Sequence, residues 1–351
     1  MEAYRRKIEA ARRLRQLISE EERGAAASDH HAKRPPRPCG ITVHTGVGCP
    51  LACTYCYIYD MGFPGVARPY KLTPLQMAYA IVLNPHVAVG EWGSLIAVGS
   101  VTEPFLPETR ELALGYIKAF YEHLGNPIQV STKMPPPPDL VNYGVDVLIS
   151  VTDLSGRLEP KAPPPIERLR AGAEIIKKGG NATLFVRPIV PGVTDKEVDR
   201  LLSVASELGF RRVVFGTLRV TESIVKRLRA FGVDVTPYLR GLDKSRQIPI
   251  KYPKERFVKK ARDLGLEVLP ASCASNVVAH GQACALCSWG PCGDVNKLKV
   301  DEEDVKEYLE TRGYKSPYVH FDERVLTVSK IGKVDKTFLE QATRVRVVLR
   351  R

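Results

Sequence analysis

An alternation of short apolar runs with helical segments constrains the fold of this chain more than any other feature. Between Ile41 and Phe215, each apolar run of strand length is followed by a longer segment, which in most cases has a helical pattern. Such alternation is typical of βα units, whose parallel strands are buried on both faces. The predicted strands are Ile41–Thr45, Ser94–Val98, Ile128–Ser131, Val145–Val151, Thr183–Val186 and Arg212–Phe215. The pattern therefore predicts about six βα units in a parallel sheet or barrel.

The segments between the strands predict helices, apart from two unusual connections. The third crossover begins with Pro135–Pro138 and is expected to hold little helix. The connection after the first strand is long, from Gly46 to Thr73. Loops that follow the carboxyl ends of parallel strands build the functional sites of α/β folds. The predicted helices are Pro74–Leu83, Glu108–Leu124, Pro165–Lys178 and Asp195–Leu208.

The flanking regions predict a three-part organisation. Tyr4–Glu22 is expected to be a surface helix that ends at Gly24 and leads into a linker. Basic helices, the strand Leu266–Leu269 and a second group of cysteines follow the predicted sheet. The expected parts are an N-terminal helix and linker (1–38), a barrel (39–220) and a C-terminal region with the second cysteine group at 273–292 (221–351).

Composition excludes several classes of protein. Of the 351 residues, 44% are hydrophobic and 26% are charged, as in ordinary globular proteins. No apolar run approaches the ~18–20 residues that cross a bilayer, so no membrane association is expected. The charged N-terminus does not resemble a signal peptide, and a cytoplasmic location is expected.

The net charge of +13 favours a polyanionic partner such as nucleic acid. Residues 200–270 contain 16 basic and 7 acidic side chains, so this stretch carries +9 of the total. A heat-adapted surface has a similar composition, so charge alone leaves both interpretations open.

Cys49, Cys53 and Cys56 form a C-x3-C-x2-C motif within the long connection after the first strand. Three thiolates at this spacing can bind three corners of an iron–sulfur cube. The fourth iron then takes a distant cysteine or keeps an open position. Structural zinc sites usually show paired C-x2-C motifs, so zinc or unreactive buried thiols are the less favoured alternative. Cys39 is interpreted as an isolated buried thiol in preference to a fourth ligand.

A second group of four cysteines supplies a complete set of ligands for a 4Fe–4S cluster or a zinc ion. We favour an auxiliary 4Fe–4S cluster over zinc, and both over disulfides. The four cysteines are Cys273, Cys284, Cys287 and Cys292.

The stretch from Thr45 to Tyr57, with Tyr55 before the third cysteine, resembles the radical S-adenosylmethionine (SAM) superfamily in its spore photoproduct lyase-like branch. The likeness extends over roughly Ile41 to Phe215. The cysteine motif is highly specific, and four further segments support it. They are Gly99–Pro104, Ser131–Lys133, Ile149–Asp153 and Arg187–Gly192.

This resemblance implies a partial (βα)6 barrel, followed here by a C-terminal cysteine-rich auxiliary-cluster domain. It also implies a reduced 4Fe–4S cluster that donates one electron to SAM, whose amine and carboxylate bind the open iron. The S–C5′ bond breaks, and the 5′-deoxyadenosyl radical takes a hydrogen atom from a substrate. The electron is expected from a reducing partner such as a ferredoxin or flavodoxin.

The resemblance also implies residues that contact the methionine part of SAM. Thr102 and Glu103 lie where the family binds the amine, and Glu103 is the better ionic partner. Lys133 offers a positive charge to the carboxylate, although it can also be an ordinary surface lysine. Arg187 is expected to hold a carboxylate or to pair with Glu103.

Three further residues are implied for the adenosine part of SAM. Tyr55 is expected to lie beside the adenine, or else to be a packed loop aromatic. Ser150 and Asp153 are expected to bind the ribose hydroxyls, or else to cap a turn. At Ser100 this chain departs from the branch, because true lyases carry their hydrogen-donor cysteine there. A serine O–H is a much poorer hydrogen-atom donor, so thymine-dimer repair by that route is not expected.

These observations predict a radical SAM enzyme, with nucleic acid or nucleotide as the first choice of substrate. The second choice is a peptide or protein substrate, since peptide-modifying relatives often use auxiliary clusters. A non-catalytic, metal-stabilised nucleic-acid-binding protein is the alternative of a different class.

Overall fold

Seven parallel strands form the central sheet in the computed structural model, which describes residues 2–244 and 246–350. The strands lie in the sheet in the order in which they occur along the chain. The first and the last of these strands are the two edges of the sheet, so the structure confirms the predicted partial barrel. The strands are β1 (Ile41–Val43), β2 (Ile96–Val98), β3 (Ile128–Thr132), β4 (Asp146–Ser150), β5 (Asn181–Ile189), β6 (Arg212–Thr217) and β7 (Glu267–Leu269).

All six strands predicted for the barrel are present. The seventh is the segment predicted to lead into the second cysteine group, and it pairs in parallel with β6. β5 is longer than predicted, and its pairing with β6 is irregular between Val186 and Ile189. The strands are apolar on both faces because helices cover the outside and other side chains fill the inside.

Helices connect most of the strands. α3 begins at a capping box in which Thr73 and Gln76 exchange hydrogen bonds. The third crossover holds one short 3₁₀ turn, Pro138–Tyr143, as its prolines predict. The helices are α1 (Glu2–Leu17), α2 (Glu20–Ser28), α3 (Pro74–Leu83), α4 (Arg110–His123), α5 (Pro165–Lys177), α6 (Thr194–Glu207), α7 (Glu222–Ala230), α8 (Glu255–Asp263), α9 (Ser272–Ala279), α10 (Glu302–Thr311) and α11 (Lys333–Thr343).

The N-terminal segment is not the single surface helix that the sequence predicts. It forms two helices, because Ser19 caps the second with a capping box, and Gly24 lies inside that second helix. Leu14 and Ile18 are buried in the main core. Sparse apolar residues are therefore enough to attach this segment to the barrel.

The C-terminal region has a hydrophobic core of its own. Val305, Leu309, Phe338 and Leu339 are buried there between α10, α11 and a small sheet. Tyr4 of α1 packs against this core. The predicted boundaries at residues 38 and 220 stay predictions. The strands after β7 are β8 (Ala283–Cys284), β9 (Cys292–Gly293), β10 (Val319–Asp322), β11 (Val325–Val328) and β12 (Arg346–Leu349).

None of the helices within the described residues has the length and apolar character needed to cross a membrane.

Candidate radical SAM site and second cysteine centre

The first cysteine group lies in a loop that is closed at its base. Gly46–Val47 pairs antiparallel with Arg68–Pro69, which brings the two ends of the loop together. Within the loop, Ala52 adopts a left-handed backbone conformation with φ of 53°. Cys53 is buried, and Cys49 and Cys56 pack against the same apolar cluster. The fold therefore gathers the three thiols at the carboxyl end of β1, as the sequence predicts.

Arg227 of α7 holds this loop in place through hydrogen bonds and an ion pair. Its guanidinium donates to the backbone oxygen of Cys56 across 2.7 Å and to that of Thr54 across 3.0 Å. It also forms an ion pair of 3.0 Å with Asp60, which is mostly buried. The loop is thus held by charge-assisted hydrogen bonds to its backbone, which leave the cysteine sulfurs free to bind a metal.

The thiols are not spaced as ligands of a single zinc ion. Burial raises the pKa of Cys49 to about 11 and also raises the pKa of Cys53 and Cys56. A metal that binds them must therefore displace protons. Zn–S bonds of ~2.3 Å would place tetrahedral sulfurs ~3.8 Å apart. Among the described residues, no three cysteine sulfurs all lie within 4.8 Å of one another, in either group.

Glu103 lies at the carboxyl end of β2 and is almost completely buried. Its carboxylate accepts a hydrogen bond from the Thr132 hydroxyl and one of 2.8 Å from the Lys133 amide. Burial raises its pKa against the effect of these hydrogen bonds. The structure thus brings Glu103 and Lys133 together, as the motif resemblance implies.

Two buried oxygen atoms near these strand ends have no hydrogen-bond partner in the described chain. They are Oγ1 of Thr102 and Oδ2 of Asp153. The other carboxylate oxygen of Asp153 accepts from the Ser155 hydroxyl and, across 2.8 Å, from the Gly156 amide. Buried polar atoms are rarely left unpaired, so these two fit contacts to a polar ligand.

Lys133 and Tyr55 belong to a buried polar network that the sequence analysis missed in part. The Lys133 ammonium donates to Ser150 Oγ across 2.6 Å and lies 3.6 Å from a carboxylate oxygen of Glu159. The Tyr55 hydroxyl donates to that same carboxylate. Glu159 also forms an ion pair with Arg168, and both are almost completely buried. Burial opposes ionisation of Glu159, but Lys133 and Arg168 outweigh it and lower its pKa.

The hydrogen bonds of this network hold the Tyr55 ring in one orientation. Its ring is buried at the edge of the cysteine loop, and the Lys133 ammonium lies 5.6 Å from the ring centre. Glu159 precedes a proline-rich loop, and Arg168 lies one turn into α5. No spacing rule connects either residue to the cysteine motif. Their part in this network is visible only in the folded structure, where the loop of Glu159 meets the helix of Arg168.

Arg187 does not pair with Glu103, contrary to one of the two expectations. Its guanidinium lies 5.7 Å from the Phe185 ring centre and interacts electrostatically with Tyr57 and Cys39. Arg219 and Lys254 face it as like charges. No carboxylate in the described part of the chain interacts electrostatically with Arg187. The other expectation, that Arg187 holds a carboxylate, stays a prediction.

The second cysteine group is built from a hairpin and a helix. β8 and β9 pair antiparallel, with Cys284 directly opposite Cys292. Cys287 lies in the turn between them, and Cys273 lies in the first turn of α9. α9 is anchored to the barrel interior because the Ser275 hydroxyl donates to Asp146 across 3.0 Å and lies 2.8 Å from the Thr183 hydroxyl. The barrel thus positions these cysteines on its inner side.

Cys39 is a fifth cysteine of this second group, and the interpretation as an isolated buried thiol is wrong. It is exposed, and its thiol is hydrogen-bonded to that of Cys273. This contact lowers the pKa of Cys39. Cys284 is also within electrostatic range of Cys39. The contact joins the residue before β1 to the helix after β7, which no local pattern indicates.

Arg344 is a buried cation beside the second group. It is 1% exposed and interacts with the thiols of Cys284 and Cys273. Its guanidinium also donates to the backbone oxygen atoms of Trp92 and Gly93. Burial lowers its pKa to about 10, so it is positively charged at neutral pH. A buried charge is costly unless it is compensated, and thiolates bound to a metal would supply that compensation.

The basic side chains of residues 200–270 do not form a single patch, contrary to their closeness in sequence. Arg212 begins β6, and Arg211 precedes it, whereas α7 follows the carboxyl end of the strand. A six-residue strand separates these ends by about 17–20 Å. Arg227 is occupied by the cysteine loop. Lys226 and Arg229 remain exposed on α7.

The fold and the three-cysteine loop define a class of iron–sulfur enzyme built on a partial barrel. Residues 43–205 match the family model of the Radical SAM superfamily. These residues form a Radical SAM domain, and the match supports an enzyme of the radical SAM class. The match speaks against the alternative of a non-catalytic binding protein.

Solved structures with a similar fold include spore photoproduct lyase. A cysteine-to-serine variant of that enzyme shares 16% sequence identity at a TM-score of 0.53, covering 67% of this chain and 78% of that one. Spore photoproduct lyase complexed with dinucleoside spore photoproduct shares 17% identity at a TM-score of 0.50, covering 64% and 74%. No curated protein matches the sequence. At this identity the likeness shows a common fold.

Proposed function

We propose that this protein cleaves SAM at a 4Fe–4S cluster held by Cys49, Cys53 and Cys56, and modifies an anionic substrate bound between its two cysteine groups. When bound, the cluster and SAM supply an electron and a 5′-deoxyadenosyl radical that takes a hydrogen atom from the substrate. The observation that carries the proposal is the closed loop of three cysteines beside a set of unpaired polar atoms.

The residues present fit SAM. The unpaired oxygen of Thr102 and the carboxylate of Glu103 suit the amine, which is a hydrogen-bond donor. Lys133 supplies a positive charge for the methionine carboxylate, and Glu159 holds its ammonium in place. Ser150 and the free oxygen of Asp153 suit the ribose hydroxyls. Burial of this set excludes water, which strengthens each charged contact.

The second cysteine group fits an auxiliary 4Fe–4S cluster with Cys273, Cys284, Cys287 and Cys292 as ligands. The buried Arg344 supports this proposal, because an anionic cluster would compensate its charge. The sulfur spacing also favours a cube over zinc. A reducing partner such as a ferredoxin or flavodoxin would supply the electron for the first cluster.

The substrate proposal rests on the cations that face the space between the two groups. Arg187 lies close to Tyr57, which follows Cys56, and to Cys39, which contacts Cys273. Arg219 and Lys254 add two further positive charges. Mutually repelling cations without a carboxylate partner suit a ligand with phosphate or carboxylate groups. Nucleic acid or a nucleotide is our first choice, and an acidic peptide is the second.

Release of 5′-deoxyadenosine tests the chemistry directly. Reduced, anaerobic protein supplied with SAM should release it even without substrate. Cys53→Ala should abolish the release, since two thiolates do not hold the cluster in position. Parent protein without reductant is the control for spontaneous breakdown. Equal amounts from Cys53→Ala and parent protein would overturn the proposal.

A further inference from the structure

Three histidines from two separate segments meet beside the end of β1. His30 and His31 belong to a short 3₁₀ turn after α2, and His44 follows β1 directly. One ring nitrogen from each lies within 4.8 Å of the other two. The ring centres of His30 and His31 are 4.0 Å apart, and those of His31 and His44 are 5.2 Å apart. This cluster contains no residue of either cysteine group.

Each imidazole has a partner on its Nδ1 atom. Nδ1 of His31 donates to the buried carboxylate of Asp29 across 2.7 Å. Nδ1 of His44 lies 3.0 Å from the Ser100 hydroxyl, and Nδ1 of His30 lies 3.2 Å from the Tyr70 hydroxyl. Histidines that bind metals characteristically use the second ring nitrogen in this way, and a carboxylate–histidine pair is a typical form. Nε2 of His44 is thereby left for a ligand, and Nε2 of His31 accepts only a long hydrogen bond of 3.3 Å from the backbone amide of His44.

We propose that His30, His31 and His44 bind a divalent transition metal, with Zn²⁺ as the best match, and leave its fourth position open. Three imidazoles with an open position are a common zinc arrangement, and imidazole suits zinc among the available metals. Zn–N bonds of ~2.0–2.1 Å place ligand nitrogens ~3.4 Å apart, so small ring movements complete the site. A water molecule or an anionic oxygen ligand takes the fourth position.

The surroundings keep the imidazoles neutral, as metal ligands must be. Burial lowers the pKa of His31 and His30, and it lowers the pKa of His44 to about 3. Lys71 and Arg34 are the cations that act on the cluster, and Asp29 compensates part of their charge. The backbone amide of His44 contacts Nε2 of His31 across 3.3 Å, a long hydrogen bond that a metal would replace.

The site connects two separate parts of the molecule. Asp29, His30 and His31 belong to the N-terminal segment, whereas His44 belongs to the barrel. Ser100 occupies the strand-end position at which the lyase branch carries its hydrogen donor. A metal at this site would therefore fasten the N-terminal segment to the barrel beside the radical SAM site.

Zinc binding to tag-free, full-length protein with its iron sites already filled tests this proposal. Parent protein should bind one additional Zn²⁺ in competition with a chromophoric chelator, and X-ray absorption should show nitrogen and oxygen neighbours without sulfur. His30→Asn should weaken binding by at least about 100-fold, because loss of a ligand should cost at least as much as loss of its partner. Ser100→Ala should weaken it by about 10-fold.

The matched control is His320→Asn, which changes another exposed histidine and should bind zinc like the parent. His30 is itself 44% exposed, so its replacement leaves the fold intact, and circular dichroism checks this. Absence of the additional zinc in the parent, a sulfur-containing first shell, or equal affinity of His30→Asn and parent would each overturn the proposal.

Discussion

Arg227 donates a hydrogen bond to the backbone oxygen of Cys56 across 2.7 Å, which ties α7 to the cysteine loop. Arg227→Ala should destabilise this loop by about 2 kcal/mol, the range of a hydrogen bond to a charged group. The reconstituted variant should therefore lose iron from the first cluster faster than the parent when a chelator is added. Lys226→Ala is the matched control because Lys226 is exposed on the same helix. Equal rates of iron loss in all three proteins would contradict the bracing role.

Iron content should show which cysteines bind the second cluster and whether the neighbouring Cys39 is one of them. Anaerobic parent protein should hold about eight irons, and about four if zinc fills the C-terminal site. Cys273→Ser should lose about four irons. Cys39→Ser should keep all eight, since four cysteines complete the cluster without it. Loss of iron from Cys39→Ser would place Cys39 among the ligands.

Arg344 should raise the reduction potential of the second cluster, because a nearby positive charge favours the more negative reduced state. Arg344→Gln should lower that potential by about 60 mV for every ~1.4 kcal/mol of lost stabilisation. Arg344→Lys, which keeps the charge, should lower it less. A redox titration followed by electron paramagnetic resonance measures both. Identical potentials in Arg344→Gln and parent would show that the cation does not act on the cluster.

Replacement of Arg219 and Lys254 should weaken binding to tRNA or single-stranded DNA. If each contacts a phosphate, the double alanine variant should lower the log–log salt slope by roughly one to two. Arg211→Ala with Arg212→Ala should leave the slope unchanged, because that pair lies at the other end of β6. Measurement at ~150 mM salt limits diffuse attraction, since the Debye length is then ~8 Å. Weak binding that neither variant alters would favour the peptide substrate.

Lys7 should make stability depend on pH. Burial, together with the charge of Arg312, lowers its pKa to about 7, although its ammonium donates to the backbone oxygen of Val87 across 2.6 Å. The unfolded chain, with a lysine pKa of ~10.4, binds more protons between these values. The free energy of unfolding should therefore rise with pH from about 7 to about 10, by up to about 1.4 kcal/mol per pH unit.

Lys7→Met should remove this rise. Urea denaturation of chelator-treated protein at several alkaline pH values provides the measurement. A parallel dependence in both proteins would mean that Lys7 is charged in the folded state.

The sequence predicted those features that depend on local spacing. The six strands follow from apolar runs, and Cys49, Cys53 and Cys56 lie together because seven positions of chain connect them. Glu103 and Lys133 meet because parallel strands end at the same edge of a sheet. In each case the distance along the chain, or the order of the strands, determines the distance in space.

Contacts between distant segments were not predictable in this way. Cys39 reaches Cys273 only because the barrel curves β1 towards the helix that follows β7. Glu159 and Arg168 pair through a loop without regular structure. Nearness in sequence was misleading for Arg211, Arg212 and Arg227, because a strand carries the chain from one end of the barrel to the other.

The contact of Cys39 with Cys273 has a consequence for the circumference of the barrel. Backbone hydrogen bonds join the strands from β1 to β7 but do not join β7 back to β1. Sulfur atoms lie across that gap, since Cys39 precedes one edge strand and Cys273 follows the other. The contact between these two thiols therefore links edge strands that backbone hydrogen bonds leave unjoined. Loss of this contact would leave the two edge strands unlinked, and exposed strand edges are sites of self-association in other sheet proteins.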